Sequence, residues 1–249
     1  MIETMILHRS IRKYKSDVIH DSLLTKILGA GIRGSTTGNM QVYSIIINKE
    51  EEIKRKLWEA HFKQNMVIEA PVHLTFCADF NRFSKWCEQR NAPPGYNNFL
   101  SFFTAAIDAL VVAQNVCLAA ENEGLGICYL GTVTYMADQI IEILSLPKLV
   151  VPVAAIVLGY PNEEPGLTDR LPLDGVIHTE TYRNYSKEDI DHIFEAKENL
   201  LQNLEFIKEN KLETLAQVFT EKRYSRKDNE YFSAQFLKVI EDQGFLINR

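Results

Sequence analysis

The sequence predicts a single domain that mixes helices with strands, and three observations carry that reading. Four short runs are rich in β-branched residues: "VYSIIIN" from Val42, "APVHLTFCAD" from Ala70, "ICYLGTV" from Ile127 and "VPVAAIVLGYP" from Val151. One stretch, "TAAIDALVVAQNVCLAAENEGLG", is Ala-rich and apolar nearly all round, the signature of a helix buried at the centre of a fold. No internal repeat and no low-complexity linker divides the chain, so residues 1–249 are expected to form one domain.

Composition bounds the function. The chain has 249 residues, enough to bury a substantial core. Its 46% hydrophobic and 24% charged content excludes wholesale disorder. A net charge of −6 argues against a general nucleic-acid binder, so local basic clusters need a local explanation. Cys77, Cys87, Cys117 and Cys128 lie too far apart for metal or redox motifs and are expected to be reduced. The histidines show no ligand spacing, so no metal is expected. The opening "MIETMIL" does not read as a signal peptide, and "LVVPVAAIVLGY" is too short to span a bilayer, so a cytoplasmic protein without a membrane partner is expected.

Along the chain, residues 2–10 and 21–31 read as short helices, followed by the polar loop "GSTTGNMQ" and the first strand. A polar-faced helix is expected at 50–63, and a strand entered through Pro71 at 70–79. Residues 80–100 read as an aromatic loop around "NAPPGYNN". The long apolar helix stops at Gly124 and Gly126, and an amphipathic helix near 135–146 separates the last two strands. Ser186 with Asp189 resembles a capping box that opens a long helix, so a helical excursion is expected over about 186–220. A C-terminal helix and tail at 228–249 close the chain with the apolar "FLIN".

There is no GxSxG, HExxH or GxxxxGK[ST] motif. "GLGICYLG" follows a helix and opens a strand, the reverse of a dinucleotide-binding turn. The opening "HRSIRKYK" is the most unusual stretch. On a helix His8 and Arg12 share a face, and the cluster is then either a solvated basic end or an anion site in which Arg forks and Ser10 supply donors. "EKRYSRK" at 221–227 carries the same two readings, and Arg170 beside Asp169 reads equally as a surface ion pair.

Four motifs, in order, resemble the nitroreductase family of flavoproteins: "HRSIRKY", "FCADFNRF" at 76–83, "IDALVVAQNVCLAAENEGLGICYLG" at 107–131 and "DRLP" at 169–172. The match is to the oxygen-insensitive major nitroreductases and NADPH–flavin oxidoreductases. That resemblance implies an α+β fold, a mainly antiparallel central sheet wrapped by helices, in an intertwined homodimer with FMN at the subunit interface. It implies that His8, Arg9 and Ser10 surround the FMN phosphate, with Arg170 as a second phosphate cation and Thr36 near the phosphate or ribityl chain. Arg12 falls near N1 and the C2 carbonyl of the ring, and Gln64 is a ring-binding amide. Tyr129, Leu130, Gly131 and Thr132 line the ring, with the Gly131 N–H facing N5. Arg223 and Arg226, in a basic segment with Lys222 and Lys227, are expected near the 2′-phosphate of NADPH. Thr168 stands where relatives carry Lys, and Thr132 where a second Gly is common.

The implied activity is FMN-dependent NAD(P)H oxidation, with NADPH or NADH as donor and a nitroaromatic, quinone or similar small molecule as acceptor. Two other readings remain at this stage: an NADPH–flavin reductase that releases reduced flavin, and a non-catalytic binder of flavin or another phosphorylated ligand.

Overall fold

The computed structural model describes residues 2–246, so Ile247 and Asn248 of the expected apolar tail lie outside the described residues. The chain forms two compact units. One comprises residues up to Gly166 together with those from Ser233 onward; the other is Leu167–Phe232.

The first unit is built on a four-stranded sheet of β1 (Tyr43–Asn48), β2 (Val72–Asp79), β3 (Gly126–Tyr129) and β4 (Val150–Gly159). The order is β1-β2-β4-β3, every neighbouring pair is antiparallel, and the β2–β4 register shifts between Phe76 and Cys77. Side chains alternate between faces with the pleat. Leu74, Phe76, Ile127, Ile156 and Leu158 pack with α2 (Asp21–Gly31) and α6 (Phe99–Asn122). Cys128, Ala155 and Val157 pack instead with Leu57 and Ala60 of α3 (Glu51–Ala60), Met66 and Val67 of α4 (Met66–Glu69) and Ile140 of α7 (Ala137–Leu144). Both sheet faces are thus covered.

The helix α6 starts five residues before the expected Thr104, because Asn98 caps it through a bond accepted from Ser101 N at 3.0 Å. It is long and apolar enough by composition to cross a bilayer, and half of that stretch is buried. Two other expectations fail locally. Residues 80–100 are not all loop: Asn81–Glu88 form α5, its first turn held by Asp79 Oδ1 accepting from Arg82 N at 3.2 Å. The N-terminal helix covers only Ile2–Ile6 (α1), not 2–10.

Tertiary pairing explains that early end. Ser10 bridges Ile127 in parallel and Tyr14 bridges Pro161, with Ile11 N donating to Ile127 O at 2.9 Å and Lys15 N to Tyr160 O at 2.9 Å. Residues 10–15 therefore run as an extended segment beside β3 and β4, and the helical face shared by His8 and Arg12 does not form. Ile11 and Tyr14 are buried while Arg12 and Lys13 face outward.

In the second unit, Ser186 and Asp189 form the expected capping box at the start of α8 (Lys187–Glu198). The long helix is interrupted. Leu200 is extended, and α9 (Leu201–Glu209) starts afresh. The amides of Asn199 and Asn203 donate to Glu195 O and Lys197 O at 2.9 and 2.7 Å, satisfying carbonyls that the break would orphan. A short α10 (Leu215–Gln217) leads into a π-helical turn at Val218–Arg223, and Arg226–Asp242 forms α11.

A Cβ at position 126 would lie 2.6 Å from Ile11 Cγ1. Gly126→Ala is expected to lower stability by about 1–3 kcal/mol, the range for overpacking, measured by urea unfolding. A smaller cost of Gly126→Ala in an Ile11→Ala background, which lacks both Cγ atoms, would trace the effect to this contact.

Candidate functional site

The extended N-terminal segment and the exit of β3 build the site. Glu121 of α6 accepts from His8 Nδ1 at 2.6 Å. A carboxylate only accepts, so the proton sits on Nδ1, and Nε2 is the ring's second bonding atom. Arg9 Nη1 donates to Pro165 O at 3.0 Å and lies 3.7 Å from Glu164. Glu163 Oε1 accepts from the backbone N–H groups of Arg12 and Lys13 at 2.5 and 3.1 Å, pinning the segment by its main chain. Among the described residues the Arg12 guanidinium makes only a long 3.5 Å contact, to Ser10 O.

Cys128 joins this segment to the strand exit. Burial pushes its thiol up, while the Arg12 charge and a hydrogen bond with Ser10 oppose that rise. Leu130 N then donates to Ala155 O at 2.9 Å, which holds the chain as it turns into a short 3₁₀ segment at Gly131–Val133. Gly131 is exposed, and a Cβ built there would meet nothing within 4 Å. The backbone here faces open space, an arrangement that admits the close approach of a planar ligand.

The turn after α3 supplies further contacts to this segment. Phe62 and Lys63 take positive φ of 53° and 58°, reversing the chain so that His61 and Gln64 converge on Thr132. Thr132 Oγ1 lies 2.7 Å from His61 Nδ1 and 3.2 Å from Gln64 Nε2, and the same amide donates to His61 O at 3.0 Å. Behind them, His73 of β2 sets its Nε2 3.3 Å from His61 Nε2. Burial lowers both imidazoles, His61 from 6.5 to about 4 and His73 to about 3, the latter also through repulsion by His61 and Lys54. Both rings are therefore neutral at pH 7. Sequence reasoning did not join these two histidines. The available signal was two polar residues, His73 and Thr75, on one face of an otherwise apolar strand.

The other expected residues lie on other elements. Thr36 lines a polar hollow of 320 Å³ with Arg33, Asn39 and Gln41. Its loop is tied to α6 by Thr37, whose N and Oγ1 donate to Asp108 Oδ1 at 2.9 and 3.2 Å. Arg170, Arg223 and Arg226 belong to the second unit. Arg170 donates to the carbonyls of Thr168 and Asp169, while the Asp169 carboxylate pairs with Lys197 at 2.7 Å. Arg223 stacks 4.3 Å from the Phe206 ring centre, and Arg226 pairs with Glu230 at 2.6 Å. Among the described residues no group of three or more His, Cys, Asp or Glu is arranged to hold a metal ion.

Comparison with known proteins shows what the chain is similar to. The model described as "Nitroreductase family" matches residues 7–160. An FMN reductase (NADPH) of Bacillus subtilis is 33% identical over 193 residues, 77% of each chain. A solved Bacteroides fragilis structure is 52% identical with a TM-score of 0.97, covering 98% of this chain and 99% of the other. The NADPH:FMN oxidoreductase of Vibrio harveyi, complexed with NAD+, is 27% identical with a TM-score of 0.79, covering 100% and 99%.

The two low histidine values carry a consequence for stability. Between pH 6.5 and about 4 the unfolded chain binds protons at His61 and His73 that the folded chain refuses. Stability is therefore complete above pH 6.5 and falls as the medium is acidified through that window. Urea unfolding at stepped pH is expected to give a slope approaching about two protons, and a flat profile would contradict it.

Proposed function

The chain belongs to the nitroreductase family, and from that membership and the geometry around Gly131 we propose that it is an FMN-dependent NAD(P)H oxidoreductase acting on small electron acceptors such as nitroaromatics and quinones. The observation that carries the reading is the exposed Gly131 backbone at the exit of β3, the strand whose Ile127 pairs with the segment that bears Arg12. The residues present fit a flavin: a cationic segment for its phosphate, an amide at Gln64 for its ring, and empty space where any side chain at position 131 would intrude.

FMN supplies the hydride-transfer chemistry. The chain's part is to hold, orient and stabilise. His8, Arg9 and Ser10 would grip the phosphate, with Thr36 adding a polar contact. Arg12 puts fixed positive charge at the ring edge where added electron density collects. Tyr129, Leu130, Gly131 and Thr132 would line the ring, with the Gly131 N–H as a donor to its edge. Arg223 and Arg226 take the 2′-phosphate of NADPH. Donor and acceptor occupy the same cleft in turn, which accounts for the absence of a second dedicated catalytic centre in the scheme.

The reading includes an intertwined homodimer. Phe99, Leu100, Phe103, Ile107, Leu110 and Val111 recur at helical spacing on α6 and are exposed, Leu100 by 72%. Such a stripe on the fold's longest helix is the mark of an uncovered interface. It also includes a cytoplasmic location, in keeping with four buried free thiols. A second reading, an FMN reductase that releases reduced flavin to a partner, is favoured by the name of the Bacillus subtilis relative.

Purified protein supplied with FMN is expected to turn yellow and to bleach with NADPH under anaerobic conditions; a protein that refuses FMN removes the proposal. Faster turnover of a nitro compound than of added free FMN favours the first reading, and the reverse favours the second. Arg223→Ala is expected to raise KM for NADPH about tenfold or more, as for loss of a charge-assisted bond, with little change for NADH. Equal effects on both donors would take Arg223 out of the 2′-phosphate site.

A further inference from the structure

We propose that Arg82 and Asp108 are positioning residues for the flavin site: they hold the 37–41 turn from its two ends, so that Thr36 meets the flavin phosphate on a preformed loop. Both residues lie outside the flavin reading above, on which the assignment rests. Arg82 belongs to "FCADFNRF", a motif to which that reading gives no task.

The turn needs outside support. Gly38, Asn39 and Gln41 take φ of 56°, 56° and 54°. Residues other than glycine adopt such values only where their surroundings impose them, which singles out Asn39 and Gln41. Burial does not impose them here: Thr37, Asn39 and Gln41 are exposed, and of the turn's residues only Met40 packs against the cluster that holds Val42 and Phe80. Bonds within the turn are few. Asn39 N and Met40 N donate to Thr36 O and Thr37 O at 3.3 and 3.0 Å, and Gln41 Nε2 donates to Asn39 Oδ1 at 3.2 Å.

Two side chains grip the turn from outside. At its start, Asp108 of α6 is 1% exposed, and its Oδ1 accepts from both Thr37 N and Thr37 Oγ1 at 2.9 and 3.2 Å. Its Oδ2 is buried without a hydrogen-bond partner, so the group costs stability where it sits, and what it secures is an exposed loop. At the turn's end, Arg82 of α5 donates from Nη2 to Gln41 O and Tyr43 O at 2.5 and 3.0 Å, and from Nη1 to Ser44 Oγ at 3.3 Å. Asp79 steadies Arg82, accepting from its backbone N at 3.2 Å through Oδ1 and from the Ser44 hydroxyl through Oδ2. Ser44 has one hydrogen and gives it to that carboxylate, so it can only accept from Arg82. Asp79 N takes Val42 O at 2.9 Å. The carbonyls of residues 41, 42 and 43 therefore all end on Arg82 or Asp79.

The turn borders the polar hollow that Thr36 lines, and neither Arg82 nor Asp108 lines it. Their action on a ligand there runs through the turn. Held at both ends, the strained backbone is in place before the ligand arrives. Released at either end, it relaxes, and the ligand has to bind the fraction of molecules in which the loop is still formed. Apparent affinity then falls in proportion to that fraction.

Two measurements test this, and the Arg82 side chain is 58% exposed, so its removal leaves the core intact. In flavin-free protein, Arg82→Ala is expected to speed amide exchange at Thr37, at the other end of the turn, about tenfold. Unchanged exchange at Thr37 means that the two ends are not held jointly and overturns the proposal. In titrations with FMN, Arg82→Ala and Asp108→Ala are each expected to raise Kd about tenfold, as for a loop formed a tenth of the time. Kd for riboflavin, which has no phosphate, is expected to stay at the parent value. Asp108→Asn keeps an acceptor for Thr37 and is expected to bind FMN as the parent does; a loss as large as that of Asp108→Ala overturns the acceptor role. Equal losses for FMN and riboflavin make the residues structural only, and overturn the proposal. Parent protein that binds FMN beside unaffected variants overturns this assignment alone, whereas parent protein that takes up no FMN overturns the flavin reading together with it.

Discussion

The structure depends on a notch cut by two glycines. Gly126 and Gly159 face each other across the β3–β4 ladder, and neither has a side chain to fill the space beside it. Ile11 occupies the place of a Cβ on the first, and Pro71 with Tyr14 that on the second. Tyr14 also donates its hydroxyl to Ile11 O at 2.5 Å, tying the two inserted residues together. The burial of Ile11 and Tyr14, with the main-chain bonds on either side, is what draws the N-terminal segment onto the sheet. Without the notch the cations of that segment would have no fixed address.

Electrostatically the site has two different walls. The N-terminal wall is cationic, with its charges balanced in part by Glu121, Glu163 and Glu164. The wall behind Thr132 is neutral, because burial removes the charge from His61 and His73. Lys54 lies close enough to His73 to reinforce that neutrality, and its own ammonium is held by the carbonyls of Ile68 and Ala70 at 2.8 and 2.6 Å. One wall can grip an anion by charge; the other can only set the direction of a hydrogen bond. That division suits a ligand with a charged tail and a polar, uncharged ring.

Much of this was legible in the sequence. The β-branched runs became β1, β2 and β4, and the Ala-rich stretch became the buried helix α6. The capping box at Ser186 was readable because it is a contact between residues three apart. The errors share a cause. Residues 2–10 carry helical spacing, yet their second half is claimed by long-range pairing with Ile127, which local pattern cannot reveal. The helix after Ser186 is periodic throughout, but two asparagine amides stabilise a break within it. His61 and His73 sit twelve residues apart on a helix end and a strand, and only the packing of α3 on the sheet brings them together. The candidate binding cluster could be proposed from motif resemblance, whereas the buried histidines behind Thr132 could not.

The N-terminal segment keeps its footing and its chemistry on separate atoms. Ile11 and Tyr14 hold it to the sheet, Glu163 holds its main chain, and the exposed Arg12 guanidinium reaches only as far as Ser10 O of its own segment among the described residues. Evolution can therefore retune the outward cations, lysine for arginine or neutral for charged, without loosening the strand that carries them. Grip on the ligand and integrity of the fold are free to drift apart.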